Sequence, residues 1–134
     1  MKLSGEDSSI EIEVQGYQYP AATLKEDLNW LSCKVSFIHV NGASNFNCFI
    51  RTFDLVGWMK SICTRMPEIV LSFPEDECSI TLHNKDGHIR HVEFTRECKL
   101  TEGFISQKAV FTSQMALADV RSEVEELLLL YPVL

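Results

Sequence analysis

The sequence predicts an α+β fold of mostly antiparallel β-sheet, about eight strands in hairpins with two helices, in the order ββββα-ββββα. Three observations predict it. Apolar and polar residues alternate over short segments such as Ile10-Glu11-Ile12-Glu13-Val14, the period of a half-exposed strand. Turn-forming residues, Asn41-Gly42 and Asn84-Lys85-Asp86-Gly87, separate such segments in pairs. In two places the period lengthens to that of a helix, first at Leu55, Trp58, Met59 and Ile62, then at Leu117, Val120, Val124, Leu127, Leu128 and Tyr131.

Taken in chain order, residues 1–4 and 9–15 form a hairpin around Gly5-Glu6-Asp7-Ser8, and a polar loop follows, ending at Glu26-Asp27. Residues 31–50 make the second hairpin. A type I′ turn needs positive φ at both central residues, and Asn41-Gly42 supplies it. With Val40 and Ala43 flanking that turn, Phe37 faces Phe46, Val35 faces Cys48 and Cys33 faces Ile50, all six on one face. Thr52 or Asp54 caps the first helix and Pro67 closes it. Strands through Ile69, Leu71 and Phe73 and through Cys78, Ile80 and Leu82 come next, with a break at Pro74-Glu75-Asp76. Asn84-Lys85-Asp86-Gly87 suits a type I turn with a Gly bulge, which sets Ile80 opposite Val92, Cys78 opposite Phe94 and His91 opposite Thr81. After a last strand at residues 104–111, Ser113 caps the final helix, whose outer face carries Asp119, Glu123 and Glu126 and which Pro132 ends.

A chain of 134 residues is expected to form a single domain, residues 1–134, that buries about two-thirds of its unfolded surface. Its longest apolar runs, such as Leu127 to Leu130, are too short to cross a bilayer. Its first residues carry acids where a signal peptide needs an apolar stretch, so a cytoplasmic location with no membrane association is expected. Nineteen acids against twelve bases leave a net charge of −7. That balance argues against a nucleic-acid partner and suits a basic protein partner. The five cysteines (Cys33, Cys48, Cys63, Cys78, Cys98) are odd in number, form no CxxC pair and fall inside apolar patterns, as buried reduced thiols do.

Candidate chemistry is sparse. His83, His88 and His91 cluster near the second turn, but residues three apart on a strand point to opposite faces, so His88 and His91 do not share an ion. They read, with His39, as exposed turn histidines, and no metal or cofactor is expected. Glu11 with Glu13, and Glu75-Asp76-Glu77, place carboxylates together without an apolar cleft around them, which describes a solvated surface better than an acid–base pair. Trp30 and Trp58 are expected to pack, given the area an indole buries. No nucleophile elbow, phosphate-binding Gly-rich loop or zinc spacing is present, so the chain does not read as an enzyme.

Four features then coincide: Asn29-Trp30-Leu31 entering a long strand after an acidic loop, the helix with Leu55, Trp58 and Met59, Phe73 and Glu75 after the fifth strand, and a leucine-rich helix closing in Tyr131-Pro132-Val133. Over nearly its full length the chain resembles the WapI-type immunity proteins, bacterial cytoplasmic proteins encoded beside polymorphic or contact-dependent toxins. It departs from them at Glu75, where the family tends to show Glu-Pro and this chain has Asp76, with Pro74 ahead of the acid. The resemblance implies a non-catalytic protein that binds and neutralises the C-terminal domain of a cognate secreted toxin. A toxin that cuts nucleic acid must present a basic groove to phosphates. The acids expected to meet it are Glu11 and Glu13 on the first exposed strand and Glu75, Asp76 and Glu77 on the turn, with the helix acids Asp119, Glu123 and Glu126 serving solubility. Asn29 is expected to satisfy backbone groups in its loop and Trp30 to anchor it. Two alternatives stand beside this one: a small-ligand or accessory binding domain of similar strand-rich build, and an enzyme with an unrecognised site.

Overall fold

A computed structural model describes residues 1–74 and 78–134, with side chains throughout except at 98–100, 104 and 105. Two four-stranded antiparallel sheets, each followed by a helix, make up the α+β fold expected from the sequence. The first sheet has the order β1 (Lys2–Ser4), β2 (Ser8–Tyr17), β3 (Trp30–His39), β4 (Gly42–Arg51). The second has β5 (Glu68–Ser72), β6 (Cys78–Lys85), β7 (His88–Leu100), β8 (Gly103–Thr112). Spatial order therefore repeats chain order in both, and every connection is between neighbours. Helix α2 (Thr52–Thr64) joins the sheets and α3 (Leu117–Leu130) packs against it. A short helix within the polar loop, α1 (Lys25–Leu28), is additional to the two expected.

One core is shared by both sheets, α2 and α3. Strand alternation sends Ile10, Ile12, Cys33, Val35 and Ile50 inward from the first sheet and Ile69, Leu71, Ile80, Leu82, Val92 and Phe94 inward from the second. Phe37 and Phe46 of the first sheet each lie 6.1 Å, ring to ring, from Phe94 of the second. Leu55, Trp58 and Ile62 of α2 and Leu117, Val120, Val124 and Leu127 of α3 close the core, as their helical spacing requires. Leu128 and Tyr131, expected in that stripe, are only partly buried at its margin. Trp58 is almost wholly buried, stacks at an angle on Phe73 (5.3 Å) and donates its indole N–H to the Ser72 carbonyl at 2.9 Å.

Both hairpin tips differ from expectation, for related reasons. The first tip is Val40-Asn41, not Asn41-Gly42, and neither residue takes positive φ, so the turn is not type I′. The register moves by two: Cys33 faces Cys48, Val35 faces Phe46 and Leu31 faces Ile50. A shift of two keeps every side chain on its face. It also places Phe37 and Phe46 diagonally instead of directly opposite, where both rings reach Phe94. The type I′ turn occurs instead at Asp86-Gly87, with φ of 54° and 83°. Continued unbroken, the pairing that it sets (Lys85 with His88, Asn84 with Ile89) would put Leu82 opposite His91. A bulge adding Arg90 restores the match, so that Leu82 faces Val92, Ile80 faces Phe94 and His83 faces His91.

The helix caps also differ. Arg51 is the N-cap of α2; Asp54 sits at N3, accepts the Arg51 backbone N–H at 2.7 Å and clamps its guanidinium at 3.0 and 3.1 Å. Thr52 is already helical and buried. Ala116 is the N-cap of α3, while Ser113, three residues earlier, donates its hydroxyl to the Ser4 carbonyl at 2.6 Å and accepts the Met115 N–H at 3.2 Å. Ser113 thus ties the last strand to the first.

Candidate interaction surface

With one face of each sheet in the core, the opposite faces are the broad surfaces left to solvent. On the first sheet, cross-strand rows run Lys2–Glu11–Ser36–Asn45 and Glu13–Lys34–Asn47. Glu11 and Glu13 are exposed there, as expected, and among the described residues neither carboxylate forms a hydrogen bond or ion pair. Glu75, Asp76 and Glu77 lie outside the described residues.

The same face ends in a cleft that sequence reasoning missed. Tyr19, Pro20, Ala21 and Ala22 of the loop after β2, Asp27 of α1, Trp30 of β3 and Phe49 of β4 line about 580 Å³. Its position follows from alternation: Leu31 and Ile50 point into the core, so Trp30 and Phe49, each one residue away, point out. Tyr19 and Phe49 remain 49% and 47% exposed, and Trp30 is half-buried instead of packed away. The Arg51 guanidinium, opposite Trp30 in the register, lies 5.7 Å from its ring centroid.

Asn29 fixes this corner. It is buried, and its side-chain amide donates to the carbonyls of Lys25 (2.7 Å) and Leu134 (3.4 Å). Its oxygen accepts the Thr52 hydroxyl at 2.7 Å and the Leu134 N–H at 2.8 Å. One side chain therefore joins α1, the start of α2 and the C-terminal segment, which is the backbone-satisfying role expected of it. Tyr17 adds a second tie, donating its hydroxyl to the Pro132 carbonyl at 3.0 Å with its ring edge-on to Tyr131; burial and that neighbour push its pKa up.

The outer face of the second sheet is differently furnished. A row Glu68–His83–His91–Thr112 crosses all four strands, beside Val70–Thr81–Glu93–Val110. His91 therefore faces His83, with rings 6.3 Å apart, and not Thr81. One Glu93 oxygen lies 3.5 Å from His83 Nε2 and 4.0 Å from Lys108 Nζ. His39 is near its hairpin tip as expected, 3.9 Å from Asp7. Among the described residues no three His, Cys, Asp or Glu side chains are grouped to hold a metal ion.

Cys33, Cys48 and Cys78 are buried; Cys63, on α2, is exposed, which corrects the expectation for it because it lies beside the buried Ile62 on the turn away from the core. Burial, with Cys48 adjacent to both, pushes the Cys33 and Cys78 thiols up to about 12, so they stay protonated at neutral pH. Of the α3 acids, Asp119 and Glu126 are exposed, but Glu123 is partly buried and accepts the Lys2 backbone N–H at 3.0 Å. No helix among the described residues is long and apolar enough to cross a membrane.

The immunity protein WapI-like family model matches residues 2–132, nearly the whole chain. The chain belongs to that family. Membership assigns it an immunity function, with a protein toxin as partner in the general sense. No curated protein and no solved structure matches it.

Proposed function

We propose that the protein neutralises a cognate secreted toxin by binding its C-terminal domain and covering the active site, without catalysis of its own. The family match over residues 2–132 carries this reading. The outer face of the first sheet supports it: Glu11 and Glu13 are exposed and unpaired among the described residues, on a chain of net charge −7. Such a surface complements the basic groove of a toxin that cuts nucleic acid and speeds encounter by about 10–10³-fold at low salt. Glu75, Asp76 and Glu77 remain the second proposed contact. Co-expression should rescue bacteria from the toxin encoded beside the gene, and association should slow as salt rises. Glu11→Gln with Glu13→Gln should reduce the association rate while leaving the fold intact, because both side chains are exposed and no like charges are set opposite Lys2 and Lys34. Failure of the wild type to bind or protect refutes the immunity reading, whereas binding without salt dependence removes only the acidic residues from it.

A second reading rests on the cleft. Its volume of about 580 Å³ falls within the usual range for small-ligand sites, which would suit an accessory binding domain. Saturation of the cleft by a metabolite with no effect on toxin binding would favour it.

A further inference from the structure

The cleft beside Trp30 combines three aromatic side chains with one carboxylate. Tyr19, Trp30 and Phe49 line it, and two of them leave about half of their surface in water. Isolated exposed aromatics are ordinary, but three around one cavity on a sheet face form a patch of the kind that marks a contact site. Asp27 stands in the same cavity, and among the described residues its carboxylate accepts no hydrogen bond and forms no ion pair. An aromatic lining alone would suit any apolar group. A free carboxylate among aromatic rings selects a cation whose body is flat or apolar.

We infer that this cleft is the seat of an arginine side chain presented by the toxin domain; the inference rests on the toxin-binding reading above and names its central contact. The guanidinium plane stacks on aromatic faces and pairs with a carboxylate through two parallel N–H donors, which an ammonium cannot do. The molecule already sets one guanidinium against this indole, since Arg51 lies 5.7 Å from the Trp30 ring centroid, within cation–π range. Arg51 does not fill the role itself, because two hydrogen bonds of 3.0 and 3.1 Å hold it on Asp54. A chain of net charge −7 complements a basic partner. A toxin surface that grips phosphates supplies arginines, and one withdrawn into this cleft is no longer available to nucleic acid. Asn29 and Leu31, buried on either side of Trp30, fix the backbone that carries the indole before the partner arrives, which lowers the ordering cost of binding.

Two titrations test this. In the first, N-acetyl-arginine methylamide and its uncharged citrulline counterpart are added to the whole protein, with the Trp30 indole N–H resonance as readout. Arginine should shift that resonance and citrulline should not, and Asp27→Asn should abolish the difference; equal response to the two probes overturns the cation assignment. In the second, the toxin domain is titrated into wild type, Asp27→Asn, Phe49→Ser and, as a control on the other sheet, Glu93→Gln. The first two variants should bind about tenfold or more weakly, the scale of a central anchor residue, and the control should bind as wild type does. Unchanged binding by Asp27→Asn and Phe49→Ser, with their amide spectra showing a native fold, overturns the cleft as the toxin's seat. Arginine-selective binding by a protein that ignores the toxin overturns the toxin reading and leaves a cation site.

Discussion

On the outer face of the second sheet, Glu93 stands between His83 and Lys108; on that of the first, Glu11 and Glu13 face Lys2 and Lys34 across the strands, and among the described residues neither they nor Asp27, at its end, form an ion pair. The two halves share element order, strand order and the placement of a helix after the fourth strand. Their inner faces are equivalent too, since each supplies aliphatic side chains and phenylalanines to the same core. The difference is confined to the side that packing does not determine. Charges that meet within the molecule are largely spent locally, whereas Asp27, beside the exposed Tyr19 and Phe49, is available to another protein. Both halves supply stability, and the toxin contact proposed above lies on the first.

The largest expected effect concerns what the halves share. Trp58 links α2 to the end of β5 and contacts Phe73 beyond it, so Trp58→Ala should cost about 3–5 kcal/mol, the range for emptying a buried indole site. Urea unfolding followed by fluorescence and circular dichroism should show one transition moved to lower denaturant. Two separated transitions would break the comparison, because the halves would then be independent. A smaller effect comes from Cys33 of the first sheet and Cys78 of the second. Their folded pKa values, about 12, lie above the ordinary 9.0, so the unfolded chain loses these protons first. Stability from this source is complete below pH 9 and is lost as pH rises toward 12. At pH 10 the loss should be about 1–3 kcal/mol for the pair, and a Cys33→Ala, Cys78→Ala double variant should flatten the profile. Smallest of all, Glu93→Gln should change stability by less than about 1 kcal/mol, since its ion pairs are solvent-exposed. A larger loss would show the second outer face to be a structural network.

Much of this was readable beforehand, and the failures share a cause. Period-2 and period-3.6 patterns place Ile10, Ile12, Leu55 and Trp58 correctly because burial itself generates those patterns. Both hairpin registers differ by two residues from the pattern's reading because a shift of two leaves the pattern unchanged; in the first, the observed register lets Phe37 and Phe46 both reach Phe94 across the core, a contact that no local pattern encodes. Caps were misassigned for a similar reason: Thr52 has the right side chain for capping but is bound to Asn29, far away in sequence. Glu11 and Glu13 were readable as exposed, since alternation with Ile10 and Ile12 requires it. The cleft was not, although the Asn29-Trp30-Leu31 triplet contained its signal: with Asn29 and Leu31 both inward, Trp30 has to point out.

Ser113 bonded to Ser4, and Lys2 bonded to Glu123, join the first strand to the last strand and last helix. Gly5 makes the same junction close, for a Cβ there would meet the Phe111 ring and the Thr112 carbonyl. Contacts between sequence extremes make folding slow relative to local structures, because the intervening chain must be ordered before they form. Chain growth on the ribosome therefore leaves β1 without its contacts to Ser113 and α3 until the second half is made, although the four strands of the first sheet are made first. Under the toxin-binding proposal, protection begins only once α3 is synthesised and the junction closes, which favours a standing stock of folded protein over synthesis on demand.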